Sequence, residues 1–142
     1  MSIRTEELCS HRWMTLCKGL HGEPFIREHG GGALIVPVNS AGEVLLIIEP
    51  AVPDGSLVLS LPAGAMEPGE SPVEAANREL QEEIGLKASR VDVLAELRPL
   101  ARHAEWTLHA VLARDLSVSH LAGDEPHEIV LQPFALSRFE DL

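Results

Sequence analysis

The chain is 142 residues long, enough for one domain with its own core. Apolar residues make up 45% of it, which excludes a disordered polymer. Acidic residues outnumber basic ones 22 to 11, and the net charge of −11 argues against a general binder of nucleic acid or of anionic membranes. An acidic chain that handles phosphate needs a cation as intermediary.

Residues 1–29 have no clear period. They hold no apolar run behind a basic patch, so no signal peptide is expected. No stretch of the chain approaches the ~20 apolar residues of a membrane span. A cytoplasmic location is the default expectation. Cys9 and Cys17 fit neither a zinc knuckle nor a redox pair and read as two free thiols.

Gly30-Gly31-Gly32 breaks the chain, and Ala33–Val38 reads as a β-branched strand. Asn39-Ser40-Ala41-Gly42 is a hairpin-type turn, and Glu43–Ile48 is the returning strand. Leu57–Leu61 is a third strand, broken by Pro62-Ala63-Gly64. A helix follows. Ser71 is its N-cap, Pro72 its first residue and Glu74 the partner in a capping box. Val73, Ala76, Leu80 and Ile84 supply the buried stripe, and Gly85 ends the helix. Val91–Leu97, Thr107–Leu112 and Ile129–Phe134 read as strands, and Ser137–Leu142 as the first turn of a second helix. No repeat or linker interrupts the sequence. Residues 1–142 are therefore read as a single α/β domain.

The chemistry concentrates on the helix. Glu79, Glu82 and Glu83 are three and four residues apart and share one side of it. Like charges at that spacing cost ~0.2–0.5 kcal/mol per pair. The negative C-terminal end of the helix makes the arrangement worse. Something positive is expected among them. A hard cation such as Mg²⁺, which takes carboxylates together with substrate phosphates, resolves the conflict. A solvated acidic face with Arg78 and Lys87 as counterions is the bland reading of the same spacing.

The segment around these residues runs Gly64, five residues, Glu70, seven residues, Arg78-Glu79-Leu80, Gln81, Glu82-Glu83, Ile84, Gly85-Leu86. It resembles the Nudix box at every specified position. Chance agreement is on the order of once in 10⁸ to 10⁹ windows at average residue usage. The resemblance implies a Nudix fold, an α/β/α sandwich around a mixed β-sheet. It implies Glu79 and Glu83 as principal metal ligands. Glu82 becomes a further ligand or a residue handling the metal-bound water, and the backbone carbonyl of Ala63 or Gly64 joins the metal shell. Gly64, Glu70, Arg78 and Gly85 become structural, with Glu70 and Arg78 as an ion pair. The ion implied is Mg²⁺, with Mn²⁺ as a substitute.

Leu61–Glu70 looks like the approach to this box in the ADP-ribose and ADP-sugar pyrophosphatase branch. In that branch an acidic loop beyond the sheet supplies a glutamate over the scissile diphosphate. In Gly123-Asp124-Glu125-Pro126-His127-Glu128 that role falls to Glu125, with Glu128 second. An ordinary acidic turn is the competing reading. Arg98, Arg102 and His103 form a small basic patch suited to a terminal phosphate or ribose, or else are solvated loop charges. Trp106 stacks on a base or fills an edge of the core. The remaining histidines, His127 among them, carry no metal spacing.

The expected substrate is thus a nucleoside diphosphate linked to another group, ADP-ribose or a relative, cut to AMP and a phosphorylated remainder. Two other readings stay open: a housecleaning hydrolase of damaged nucleoside triphosphates, and a domain that binds nucleotides without cutting them. The intact glutamates argue against the latter, and the acidic loop favours the ADP-linked substrate. The resemblance also implies a homodimer, since related enzymes complete their pocket across two subunits. The N-terminal segment around Trp13 is the expected contact.

Overall fold

The computed structural model describes residues 5–123 and 127–141. In chain order its strands are β1 (Glu6–Ser10), β2 (Met14–Lys18), β3 (Pro24–Glu28), β4 (Gly32–Pro37), β5 (Glu43–Pro50), β6 (Leu57–Ser60), β7 (Ala63–Ala65), β8 (Leu86–Leu97), β9 (Ala104–Glu105), β10 (Leu108–Val118) and β11 (Val130–Ala135). The helix α1 (Pro72–Glu83) lies between β7 and β8.

The central sheet has the order β7-β4-β10-β8. Strands β4 and β10 run parallel, from Leu108 opposite Gly32 to Ala113 opposite Pro37. Parallel neighbours need a long connection, and here it holds every element from β5 to β9. The outer pairs, β4 with β7 and β10 with β8, are antiparallel. The sheet is mixed and carries a helix, as the α/β class requires.

The Asn39–Gly42 turn forms as expected. The Asn39 carboxamide oxygen accepts from the amides of Ala41 and Glu43, each at 3.0 Å, and Gly42 takes a φ of 76°. Its two strands, however, meet only at the bridge between Val38 and Val44. Beyond it β5 turns away into a second sheet, β11-β5-β6. The turn thus hands the chain from one sheet to the next instead of closing a hairpin.

Helix α1 starts where the capping box predicts. The Ser71 hydroxyl accepts from the Glu74 amide at 3.2 Å, and the Glu74 carboxylate accepts from the Ser71 amide at 2.8 Å. Its buried residues are Ala75, Ala76, Glu79 and Leu80. The expected stripe is therefore turned. Val73 is exposed, Ile84 only borders the core, and a glutamate lies inward. Ala75 and Ala76 meet Ala33, Ala88 and Ala113 of the sheet. Small residues on both sides let helix and sheet approach closely. Leu80, Ile35 and Val111 fill the space between them and are fully buried. Burying a Leu side chain of this kind stabilises the domain by roughly 1.5–3 kcal/mol.

Other boundaries differ from those read in the sequence. The Pro62-Ala63-Gly64 break contains a real strand, β7, held to β4. Strand β8 begins at Leu86, directly after the helix, and β10 runs on to Val118. The last segment is a 3₁₀ helix, Leu136–Asp141, kinked at Arg138, and not an α-helical turn. The unread N-terminal segment forms three antiparallel strands, β1 to β3, extended by β9 parallel to β3. Cys9 is exposed and Cys17 buried, both free. Among the described residues, no helix is long and apolar enough to cross a membrane.

Candidate active site

The guanidinium of Arg78 gathers the charged residues of the box. Its Nε and Nη2 donate to the two carboxylate oxygens of Glu70, at 2.9 and 3.0 Å. Nη2 also donates to the carbonyl of Ala65 at 2.8 Å. Nη1 donates to Glu79 at 2.6 Å and to Glu82 at 3.1 Å. The Glu70–Arg78 ion pair expected from the sequence is present and bidentate. The same side chain reaches two of the three helix glutamates as well. Part of the positive charge that those glutamates demand comes from the helix itself.

Burial alone would push the Glu70 carboxyl up. Hydrogen bonds from the Arg78 side chain and the Glu67 amide outweigh that effect and hold it below the usual carboxylate range. The bonds to Glu70, and then those to Glu79, raise the Arg78 guanidinium further above any accessible pH against the opposing effect of burial. The loop that carries Glu70 turns at Gly69, whose φ of 85° suits glycine.

Glu79 is 7% exposed, low for an acidic residue. Its carboxylate lies against the backbone of Gly64, where any Cβ would overlap it. Strand β7 brings that glycine there by pairing Gly64 with Ala33 and Ala63 with Leu34. The box glycine is therefore a cradle for the Glu79 carboxylate. Glu82 and Glu83 are half-buried and line a cavity of about 160 Å³ with Gly123, His127 and Ile129.

The segment leaving β10 closes this end of the site. The amides of Leu121 and Ser119 donate to the carbonyls of Gln81 and Gly85, at 3.1 and 3.0 Å. The Ser119 hydroxyl adds a bond of 2.7 Å to Gln81. Carbonyls at a helix end lack partners within the helix, and here the passing chain supplies them. Gly123 then passes close to Glu82, so that a Cβ there would touch it.

On that loop Glu125 lies outside the described residues. Glu128 is exposed to solvent, while its neighbours His127 and Ile129 face the cavity. His127 Nε2 lies 3.5 Å from Glu49 Oε2 of β5. Neither residue is marked in the sequence, since they lie just beyond the paired ends of β11 and β5, strands far apart along the chain. The basic patch is more dispersed than its sequence spacing. Arg98 is exposed and pairs with Glu96 at 3.6 Å. The His103 amide donates to the carbonyl of Leu100, and its own carbonyl accepts from Ile26. Arg102 lines a separate cavity of about 410 Å³ on the N-terminal sheet, with Phe25, Arg27 and Glu105.

Carboxylates beside backbone carbonyls form the all-oxygen donor set that a hard divalent cation takes. The Gly64 cradle holds the Glu79 carboxylate against the β7 backbone, so the donor types present fit the group. Among the described residues no three acidic, His or Cys side chains already converge as a cage. Arg78 Nη1 stands between Glu79 and Glu82 instead.

The comparisons with known proteins agree with this geometry. A family model described as the NUDIX domain matches residues 28–137. An ADP compounds hydrolase of Escherichia coli K12 is 37% identical over 109 residues, covering 77% of this chain and 58% of that relative. An ADP-ribose pyrophosphatase of Bacillus subtilis 168 is 30% identical over 93 residues, covering 66% of this chain and 50% of that relative. The match thus spans about half the length of each relative. A crystal structure of an ADP compounds hydrolase superposes with a TM-score of 0.81 at 30% identity, covering 98% of this chain and 80% of that one.

Glu70→Gln is expected to destabilise the domain by on the order of 2 kcal/mol at pH 7, since it removes one partner of a charged hydrogen bond. The folded-state pKa of Glu70 is lowered, so its contribution is complete above the ordinary value of 4.5. That contribution fades as the pH falls through the lowered value. Thermal melts of wild type and variant should therefore converge in acid. Equal melting temperatures at pH 7 would contradict the role given to the ion pair.

Proposed function

This chain belongs to the Nudix family, and from that membership we propose that it is a divalent-metal-dependent pyrophosphatase of the cytoplasm. Its proposed substrate is ADP-ribose or a related ADP-linked compound, cut to AMP and a phosphorylated remainder. The observation that carries the reading is the buried Glu79 carboxylate cradled on Gly64, with Glu82 and Glu83 opening onto the adjoining cavity. The names of the ADP-compound hydrolases it resembles support the choice of substrate.

Glu79 and Glu83 are the proposed ligands of Mg²⁺, or of Mn²⁺ in its place, with Glu82 and the Ala63 carbonyl beside them. A bound ion there would neutralise phosphate charge and make a water nucleophilic near neutral pH. The chain's own residues supply the rest. Arg78 offsets the repulsion among the carboxylates and ties the helix to the Glu70 loop. The core around Leu80 packs the helix on β4, β8 and β10. The resemblance offers Glu125, then Glu128, then Glu82 for handling the attacking water. Arg98, Arg102 and His103 are the proposed contacts for the far phosphate or ribose. The place of Arg102 on a cavity supports its inclusion.

We also propose a homodimer formed through the N-terminal sheet. Leu8, Met14, Leu16 and Ile26 are each 40–50% exposed. Leu16 and Ile26 are direct cross-strand partners, so these residues form a shared apolar face. A second copy would cover it. Light scattering at micromolar concentration should give twice the chain mass, and Leu16→Glu should halve it. A wild-type monomer with full activity would overturn the dimer.

Hydrolysis is tested with a panel of ADP-linked compounds and nucleoside triphosphates, following AMP, nucleoside monophosphate and pyrophosphate. AMP should appear from ADP-ribose with Mg²⁺ or Mn²⁺, cease in excess chelator and return when the ion is restored. Glu83→Gln should lower kcat by on the order of 10²-fold or more with little loss of folding. A preference of tenfold or more in kcat/KM for triphosphates, about 1.4 kcal/mol, would replace the ADP-linked reading with the housecleaning one.

A further inference from the structure

The guanidinium of Arg78 serves two sets of partners. On one edge Nε and Nη2 donate to both oxygens of Glu70, at 2.9 and 3.0 Å, and Nη2 donates again to the Ala65 carbonyl at 2.8 Å. These bonds cross from helix to loop. At its other end Nη1 donates to Glu79 Oε1 at 2.6 Å and to Glu82 Oε2 at 3.1 Å. Both of these carboxylates are given to the divalent cation in the proposed function, on which this inference rests.

The Nη1 bonds are largely shielded from water. The side chains of Arg78, Glu79 and Glu82 are 21%, 10% and 19% exposed, so charges there are weakly screened. Glu79 has little room to turn aside, because its carboxylate fills the space over Gly64 where a Cβ would stand. A divalent cation coordinated by these oxygens would stand directly against Nη1. Two positive groups drawing on one pair of carboxylates repel each other, and each weakens the hold of the other. Relief comes at the Nη1 end. The guanidinium can tilt on its Glu70 and Ala65 anchor, or Glu82 can turn outward, and either movement breaks the Nη1 bonds without undoing the loop.

We propose that Arg78 is an internal counterion that competes with the divalent cation for Glu79 and Glu82. Loading of the ion breaks both Nη1 bonds and leaves the bonds to Glu70 in place. Departure of the ion restores them. The antagonism is reciprocal, so the same two bonds lower the affinity for the ion. The end of α1 then faces a positive partner in either condition, and the ion can exchange without leaving the carboxylates to repel one another. Arg78 acts here on occupancy of the site and does not touch the substrate.

The experiment uses the full chain labelled with ¹⁵N and Mg²⁺ alone as the probe. The Arg78 side-chain signals are identified by their loss in Arg78→Lys, and saturation by shifts of the Gly64 and Glu79 backbone amides. At saturating Mg²⁺ the Nε–H should remain slow to exchange with solvent, while the Nη1 hydrogens should exchange about tenfold faster or more, as opened hydrogen bonds do. Mn²⁺ affinity, read by electron paramagnetic resonance, is then compared between Glu70→Gln and the double variant Glu70→Gln/Arg78→Gln. The first change removes the loop anchor from both proteins, so the second isolates the competing charge. The double variant should bind Mn²⁺ roughly tenfold more tightly than the single one, the scale of one lost hydrogen bond to a charged group. Nη1 exchange unchanged at saturating Mg²⁺, or a double variant that binds Mn²⁺ no better than the single one, would overturn the proposal and leave the pyrophosphatase reading intact. Should the double variant fail to fold, the wild-type exchange rates decide alone. A wild type that binds neither ion would overturn both.

Discussion

One guanidinium makes the helix glutamates compatible with a folded chain. Glu79, Glu82 and Glu83 sit together where the helix dipole is already negative, and no basic residue occupies the last turn. Arg78 answers from one position earlier. Its fork gives two parallel bonds to Glu70, one to the Ala65 carbonyl and a shared Nη1 to Glu79 and Glu82. A lysine has a single ammonium and could not hold both oxygens of Glu70 in one plane while reaching two other carboxylates. Because the bonds to Glu70 and Ala65 cross from helix to loop, the same side chain fixes the path of residues 65–70. That path delivers Gly64 to the Glu79 carboxylate. Loop, helix and strand β7 are thereby set by a single residue.

The helix has two further restraints, one at each end. The capping box sets where it starts, and the chain leaving β10 binds the carbonyls where it stops. The second restraint brings Gly123 to the glutamates. The site is therefore built from three remote parts of the chain: β7, the end of α1, and the segment between β10 and β11. An acidic chain of net charge −11 gains from this a concentrated anionic site of the kind a hard divalent cation takes.

The sequence revealed what local chemistry decides. Ser71, Pro72, Glu74 and Gly85 mark the helix by capping rules that involve only near neighbours. The Asn39–Gly42 turn is equally local, though the fate of its strands is not. Whether β5 returns along β4 or joins β11 depends on pairing across the whole chain. The inward turn of Glu79 had no such signal, because amphipathic spacing places a glutamate outside by default. The bare backbone of Gly64 leaves room for the Glu79 carboxylate, and Arg78 supplies it a charged partner. The N-terminal strands were illegible for a related reason. They are five residues each, and β1 is exposed throughout, so no apolar alternation marks them. His127 looked like one histidine among several until Glu49 and the cavity appeared beside it.

The central claim is that the glutamates at the end of α1 hold a divalent cation on a Gly64 cradle. Electron paramagnetic resonance of Mn²⁺ titrated into the wild-type protein, Glu79→Gln and Gly64→Ala tests it without reference to any substrate. The account predicts a bound, broadened Mn²⁺ signal in the wild type and its weakening by at least tenfold in affinity in both variants, each remaining folded by circular dichroism. Wild-type binding preserved in folded Glu79→Gln would contradict it.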